Sequence, residues 1–277
     1  MLSAAQQSFF ATFGYLKLPD FLADDIVWIT DEFEASWLAT RQAAKNALHD
    51  GSKRTMHPEL FVSTTPRLST LIEHPGISAV CSDIMGEGWS LNGGDGNFYS
   101  GDTGWHSDVW PGHWAAKTTL LNLKVAFYLD PLTKDTGALR VIPGSHRFGD
   151  AYCDEVQKSL SGGGDSFGLA GQDIPAVAID IRPGDLVLFD HRLKHASYGG
   201  GRRRRMFTMN CFATIDSETK HQAAVEIMRY YYEHEHQRRM FAADWLASAP
   251  PERLRHLLPA MHVWAEAEAM CMASGTP

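Results

Sequence analysis

The chain has 277 residues, of which 44% are hydrophobic, and a formal net charge of −8 at pH 7. This negative charge argues against nucleic acid as a partner, because neutralising phosphates requires a basic surface. The sequence shows neither a run of about 18 uninterrupted apolar residues nor the basic start and apolar block of a secretion signal, so we expect a cytoplasmic protein without a membrane span.

The first part of the chain, about residues 1–88, has a helical pattern. Asp24 or Asp25 can cap a helix, and the apolar residues that follow recur at three- and four-residue steps. This spacing predicts an amphipathic helix that packs on the rest of the molecule through Ile26, Ile29, Phe33, Trp37 and Leu38.

From about residue 89 to residue 216 the pattern changes to short β-rich runs separated by glycine- and proline-containing turns. No regular helical segment separates successive runs, which argues against a parallel α/β sheet. We therefore predict a mainly β core with flanking helices, in which a jelly roll fits the pattern best. Residues 161–171 are glycine-rich and are expected to form a loop between strands, of the kind that often covers a site.

Residues 217–277 have a helical pattern again, with Ala224, Ile227, Met228 and Tyr231 at three- and four-residue steps. Such spacing is more typical of core packing than of a cofactor site. We expect one domain over residues 1–277, since this length suffices for one sizeable core. The C-terminal helices are expected to act either as a lid or as a homodimer contact.

The segment GWHSD carries the most informative chemistry. His106 and Asp108 are two residues apart, so in a strand both side chains point to the same face. A third ligand from a distant strand would complete a face of two histidines and one carboxylate, which suits non-haem Fe(II) oxygenases. Trp110 is expected to help shield this site. By spacing alone, either His191 or His195 can supply the third ligand.

The motifs GWHSD, FYLDPLTKDTGALRVIPGSH and GDLVLFDHRLKHAS, followed by an arginine that opens a strand, together resemble the phytanoyl-CoA dioxygenase family of iron(II)/2-oxoglutarate oxygenases. The resemblance runs from about Phe9 to Phe212. It implies a double-stranded β-helix, a jelly roll of cupin type, with His106, Asp108 and His195 as metal ligands. His191 is then a nearby polar residue. The implied cofactors are Fe(II), the co-substrate 2-oxoglutarate, and O2.

The family also has an arginine that binds the far carboxylate of 2-oxoglutarate, and in this chain four arginines, Arg202 to Arg205, crowd that place. A guanidinium suits this task because it matches a carboxylate with two parallel hydrogen bonds. We choose Arg205, and the resemblance implies that Ser197 helps to hold the same carboxylate. Strand alternation places Arg205 in the more apolar set, which we take to face inward, with Phe207, Met209 and Cys211.

The run from residue 122 to residue 128 is a strand with one apolar face, which we expect to pack against the outer helices. Asn122 and Lys124 then point into the barrel, where a buried lysine needs an anion, and 2-oxoglutarate can supply it. The alternative is that Lys124 is exposed at a strand edge. Tyr99, just ahead of the metal motif, is expected to line the same cavity.

On this basis we predict a dioxygenase that hydroxylates an unactivated C–H bond and releases succinate and CO2. Related halogenases have a small residue where this chain has Asp108, so the aspartate favours hydroxylation over chlorination. The fold does not choose the substrate. The arginine cluster and Lys124 favour a small anionic or zwitterionic molecule. His113 is near the metal motif in sequence and is a further candidate for substrate contact.

Two alternatives come from other classes of protein. A jelly-roll enzyme that uses Zn or Mn as a Lewis acid would need the two histidines and the aspartate but not the arginine. A non-catalytic binding protein on the same scaffold would need neither the metal ligands nor the arginine, and the intact His106, Asp108, His195 and Arg205 argue against it.

Overall fold

A computed structural model describes residues 1–44, 54–57, 67–108, 114–147, 149–162, 164, 167–234 and 241–274 of the protein. Trp110 and His113, singled out above, lie outside the described residues, as do residues 163, 165 and 166 of the predicted loop. Within the described residues, the strands form two antiparallel sheets, one of seven strands and one of four.

The larger sheet contains β1 (Tyr15–Leu18), β2 (Thr55–His57), β3 (Ser90–Gly93), β4 (Gly96–Ser100), β6 (Asn122–Tyr128), β9 (Leu186–Asp190) and β11 (Arg202–Phe212). Its order is β1-β9-β6-β11-β4-β2, and β3 also pairs with β11. The smaller sheet contains β5 (Thr103–His106), β7 (Leu139–Val141), β8 (Val177–Ile179) and β10 (His195–Ser197), in the order β5-β10-β7-β8.

The helices flank these sheets in three parts of the chain. They are α1 (Ala4–Phe13), α2 (Ile26–Ala44), α3 (Pro75–Met85), α4 (Trp114–Thr119), α5 (Asp150–Ser161), α6 (Glu218–His234), α7 (Ala243–Ala247), α8 (Pro251–Leu254) and α9 (Leu258–Ser274). Helix α1 begins with a capping box, in which the Ser3 hydroxyl accepts from the Gln6 N–H and the Gln6 side chain accepts from the Ser3 N–H. It ends at Gly14, whose φ of 81° is favourable for glycine.

The two faces of the larger sheet have different partners. On β6 and β11 one set of alternate residues lies in the core beneath the helices: Leu123, Val125, Phe127, Phe207, Met209 and Cys211. The other set packs against the smaller sheet, and this inner cluster comprises Ala126, Tyr128 and Met206 together with Leu139, Val141 and Ile179. The sheets therefore enclose a barrel interior, and the predicted jelly roll with flanking helices is confirmed.

Helix α2 packs on the outer face of the larger sheet as its periodicity predicts. The Phe33 and Phe207 rings stack at 6.0 Å between centroids, and Phe207 stacks on Phe127 at 4.4 Å. The burial of each such apolar side chain stabilises the fold by about 1.5–3 kcal/mol. Leu38 is an exception to the predicted buried set, since 49% of its surface is exposed. None of the described helices combines the length and apolar character needed to cross a bilayer.

Candidate metal centre

The three side chains predicted as metal ligands converge on one point. His106 on β5 lies directly opposite His195 on β10 in the antiparallel register of the smaller sheet. Asp108 follows β5 and brings its carboxylate between the two rings, with Oδ1 3.8 Å from His106 Nε2 and Oδ2 3.7 Å from His195 Nε2. One ligand atom from each residue lies within 4.8 Å of the other two, so a single ion can contact all three.

Backbone carbonyls fix the orientation of both imidazoles. His106 Nδ1 lies 2.8 Å from the Gly104 carbonyl oxygen, and His195 Nδ1 lies 2.9 Å from that of Leu193. Because a carbonyl oxygen only accepts, each Nδ1 carries the proton and each Nε2 keeps its lone pair for a metal.

The electrostatics of the site match the protonation states that a cation needs. Burial alone would raise the pKa of Asp108, but Lys124, the two ligand histidines and His191 together hold it well below its usual range. Burial and the neighbouring His106 lower the pKa of His195 to about 3, despite the carboxylate of Asp108. The aspartate is therefore ionised and His195 neutral, as metal binding requires.

This donor set fits a non-haem Fe(II) ion. Two imidazole nitrogens and one carboxylate oxygen would hold the ion and leave further coordination positions for other ligands. His106, Asp108 and His195 all border a cavity of about 120 Å³ inside the barrel, which is large enough for small ligands beside the ion.

Arg204 presents its guanidinium to this cavity. Only 8% of the Arg204 surface is exposed. Its Nη1 donates to the Ser197 hydroxyl oxygen at 2.6 Å and to the Gly137 carbonyl at 2.7 Å, and its Nη2 donates to the Gly101 carbonyl at 2.7 Å. The sequence-based choice among the four arginines was Arg205, so Arg204 is a functional residue that the sequence analysis missed.

Arg205 also borders the cavity, but its guanidinium is already paired with two carboxylates. Its Nη2 lies 2.5 Å from Asp130 Oδ1, and its Nη1 lies 2.8 Å from Glu34 Oε1 on α2. The prediction that Arg205 faces inward is therefore wrong. The physical reason is that the apolar set on β11 packs against the helices, so the less apolar set, with Arg204, faces the barrel interior.

The remaining predicted site residues lie inside the barrel, in different places. Lys124 directs its ammonium to Asp108 Oδ2 at 2.7 Å. Tyr99 borders the cavity next to Arg204, whose guanidinium carbon is 5.3 Å from the ring centroid. Asn122 accepts from Asn92 Nδ2 at 3.1 Å and does not border that cavity.

His191, the other candidate for the third ligand, also supports the site through its backbone. Its carbonyl accepts from the Asp108 N–H at 2.8 Å, and its own N–H donates to the Asn122 carbonyl at 3.0 Å. These bonds fix the segment that carries the ligand carboxylate.

The family model of phytanoyl-CoA dioxygenase (PhyH) matches residues 10–206, which is most of the chain. The chain belongs to the phytanoyl-CoA dioxygenase family. Membership confirms the predicted enzyme class, a dioxygenase. Among curated proteins, none matches this PhyH protein in sequence.

Solved structures with a similar fold include EctD and SnoK. EctD from S. alaskensis in its apoform has a TM-score of 0.54 and 23% identity, covering 76% of this chain and 77% of that chain. SnoK, a non-haem alpha-ketoglutarate-dependent carbocyclase from nogalamycin biosynthesis, has a TM-score of 0.54 and 19% identity, covering 76% and 84%. EctD with 2-oxoglutarate and 5-hydroxyectoine has a TM-score of 0.52 and 21% identity, covering 76% of each chain.

Proposed function

We propose that this PhyH protein is an Fe(II)/2-oxoglutarate-dependent dioxygenase that hydroxylates an unactivated C–H bond of a small anionic or zwitterionic molecule, with release of succinate and CO2. The observation that carries the proposal is a buried guanidinium, that of Arg204, which borders the same cavity as the three metal ligands. His106, Asp108 and His195 would hold the iron.

Arg204 has the properties of a carboxylate receptor. All of its hydrogen-bond partners are neutral oxygens, and in the described part of the chain no carboxylate pairs with it and its Nε has no hydrogen-bond partner. Burial lowers the pKa of Arg204, although nearby Tyr128 and Tyr99 and the carboxylate of Asp102, which forms no ion pair with it, oppose this. A buried cation without an anion is costly, and the far carboxylate of 2-oxoglutarate would supply the missing charge.

Ser197 completes this receptor. Its oxygen accepts from Arg204, so its own proton is available to the same carboxylate. Ser197 also lies two residues beyond His195 on β10, and the co-substrate can therefore reach from the metal to the arginine along one strand.

When bound, the iron supplies the oxidation chemistry, in which 2-oxoglutarate and O2 become succinate and CO2 and one oxygen atom enters the substrate C–H bond. The chain positions the reactants. Arg204 and Ser197 orient the co-substrate, and Lys124 offsets the charge of Asp108. The apolar cavity walls exclude water from the reaction, and they comprise Leu132, Leu139, Phe189 and Met206.

The charged substrate class is supported by side chains at the border of the cavity. Arg54 and Asp95 both line it, with Arg54 Nη2 3.5 Å from Asp95 Oδ2. One cation and one anion side by side can recognise a molecule that carries both charges. The structural relative EctD was solved with 5-hydroxyectoine as well as 2-oxoglutarate, which is consistent with such a substrate.

We further propose that residues 1–277 form one catalytic domain. The C-terminal part is joined to the barrel by specific contacts, since the His256 carbonyl accepts from the Leu91 N–H at 2.8 Å and the His256 ring stacks on Trp89 at 3.9 Å.

A non-oxidative enzyme with Zn or Mn at the same three ligands is the alternative. It would have no use for the Arg204 receptor, because a Lewis-acid reaction needs no second carboxylate site.

The decisive experiment is an anaerobic titration of the purified protein with Fe(II) and 2-oxoglutarate. We expect the weak visible charge-transfer band of the chelate, and succinate release that increases when a charged small molecule from a substrate panel is added in air. A folded protein that binds iron but gives no band would overturn the proposal and favour the Lewis-acid enzyme.

A further inference from the structure

A layer of neutral polar side chains lies inside the barrel beside the metal site. We call it the amide layer, and it consists of Ser90 and Asn92 on β3, Asn122 on β6 and Asn210 on β11. The residues that alternate with them belong to the core beneath the helices, as Leu91, Leu123, Met209 and Cys211 do, so the amide layer faces the opposite, inner side.

The strand register brings this layer next to the metal ligands. Asn210 is paired directly with Lys124, whose ammonium contacts Asp108. Asn122 precedes Lys124 by two residues on the same face of β6, and Asn92 is in direct contact with Asn122. Asn122 and Asn92 do not border the cavity that contains Arg204. The layer is therefore separate from the receptor assigned above to 2-oxoglutarate.

The amide layer has more hydrogen-bonding capacity than the fold uses. Asn92 Nδ2 donates to Asn122 Oδ1 at 3.1 Å. Within the described residues, however, Ser90 Oγ, Asn92 Oδ1, Asn122 Nδ2 and Asn210 Oδ1 are buried without a hydrogen-bond partner. Ser90, Asn92 and Asn122 are 0%, 5% and 1% exposed. Buried polar atoms without partners are rare because they lose their bonds to water, and four in one layer require an explanation.

Asn97 on β4 shows that the barrel can satisfy a buried asparagine. It is 1% exposed and also faces inward, since it alternates with Phe98 of the helix-covered core. Both ends of its amide are bonded, with Nδ2 2.5 Å from Asp95 Oδ2 and Oδ1 2.7 Å from Arg54 Nε. Facing the barrel interior is therefore not enough to leave an asparagine amide without partners, and the four open atoms of the amide layer need their own explanation.

We propose that the amide layer is a substrate subsite that binds a neutral group with both an N–H donor and a C=O acceptor, a carboxamide. This inference rests on the proposed function and adds to it a second recognition element beside the charged one. The layer offers acceptors in Asn92 Oδ1 and Asn210 Oδ1, a donor in Asn122 Nδ2, and a hydroxyl in Ser90, which matches an amide on both sides.

The inference does not depend on which way the amides of Asn92 and Asn122 are turned. If both were reversed, Asn122 would donate to Asn92, and one donor and one acceptor would again be left open. The amide layer itself contains no charged side chain, so it favours a neutral group over a carboxylate or an ammonium.

The first part of the test uses the thermal unfolding of the protein without added ligand. The double variant Asn92→Leu/Asn122→Leu removes open polar atoms and keeps side-chain volume, so its Tm should equal or exceed that of the wild type. Asn97→Leu is the matched control, and its Tm should fall because its amide is bonded at both ends. If the double variant loses as much Tm as the control, the layer is structural and the proposal is overturned.

The second part adds propionamide, propionate or propylamine, three probes with the same three-carbon skeleton and different head groups. Propylamine should not raise the Tm of the wild type, and any rise with propionate, whose carboxylate fits Arg204, should persist in the double variant. Propionamide should raise the Tm of the wild type in a dose-dependent way. The Tm rise caused by propionamide should disappear in the double variant. It should be smaller in Ser90→Ala, which removes one hydroxyl oxygen and replaces the double variant in this test if that variant does not fold. Equal effects of all three probes, or none from propionamide, would overturn the proposal.

The anaerobic Fe(II)/2-oxoglutarate band separates this inference from the proposed function. The band should be unchanged in the amide-layer variants. Its absence in the wild type would contradict the proposed function, whereas the Tm and probe measurements would still report on the amide layer.

Discussion

The Nη1 atom of Arg204 lies 2.6 Å from the hydroxyl oxygen of Ser197. This bond joins β11 of the larger sheet to β10 of the smaller sheet across the barrel interior. Because Ser197 is two residues from the metal ligand His195, the bond sets the position of the guanidinium relative to the metal site.

Replacing Arg204 by glutamine should weaken 2-oxoglutarate binding. A charge-assisted hydrogen bond contributes about 1.5–3 kcal/mol, so the Kd should rise about 10- to 100-fold. Metal affinity should be unchanged, since the three metal ligands are intact. Both are measured anaerobically, the co-substrate through its charge-transfer band and the metal with Co(II) absorption.

Arg205→Gln is the matched control for that variant. It removes the ion pairs with Asp130 and Glu34, which are partly exposed and worth at most about 1 kcal/mol of stability each. The Kd for 2-oxoglutarate should stay near that of the wild type. The opposite pattern, with Arg205→Gln losing 2-oxoglutarate and Arg204→Gln keeping it, would contradict the assignment.

Gly137 keeps space for the same guanidinium. A Cβ atom on Gly137 would lie 2.7 Å from both Cδ and Nη1 of Arg204, so Gly137→Ala should displace the arginine and raise the Kd for 2-oxoglutarate about tenfold or more. Gly101→Ala is the control. Gly101 also has a positive φ and also accepts a bond from Arg204, but a Cβ there meets nothing within 4 Å. Equal losses of co-substrate affinity in both variants would indicate backbone strain alone.

The β pattern and the spacing of His106 and Asp108 were enough to predict the jelly roll and a candidate ligand pair. Alternation gives the period of a strand but not which face is the interior. On β6 the apolar face was assigned correctly to the helices, and Lys124 then pointed inward. On β11 the same apolar face was taken as the interior, which selected Arg205 in place of Arg204.

The contacts that complete the site were not readable from the sequence because they join distant parts of the chain. Residues 106 and 195 meet only through the pairing of β5 with β10. Arg204 is recognised as a carboxylate receptor only from its neutral hydrogen-bond partners, which are Gly101, Gly137 and Ser197. A consistent choice of the polar face on both strands would have found Arg204.

Lys124 and a metal ion compete for the carboxylate of Asp108. The ammonium lies 2.7 Å from Asp108 Oδ2, and two cations on one carboxylate repel each other. The Lys124→Met variant should therefore bind Co(II) roughly tenfold more tightly. This factor corresponds to the net free energy of one charge-assisted hydrogen bond in water. Without metal its Tm should fall, because Asp108 loses its partner. Weaker Co(II) binding would instead show that Lys124 positions Asp108 for the metal.

Asp185 should make the stability of the fold depend on pH. Its carboxylate pairs with Lys17 at 2.8 Å and accepts from the backbone N–H groups of Arg182 and Asp20, both at 2.9 Å. Burial alone would raise the pKa of Asp185, but these partners lower it below its usual value. A lowered carboxyl pKa stabilises the fold above the unfolded pKa of about 4 and ceases to do so as the pH falls through the folded pKa.

Urea unfolding should therefore show Asp185→Asn less stable than the wild type at pH 7, with the difference shrinking below pH 4, because a protonated aspartate resembles asparagine. The exposed Asp180→Asn is the control and should show no such change, and a constant difference for Asp185→Asn at every pH would mean that the ion pair does not contribute.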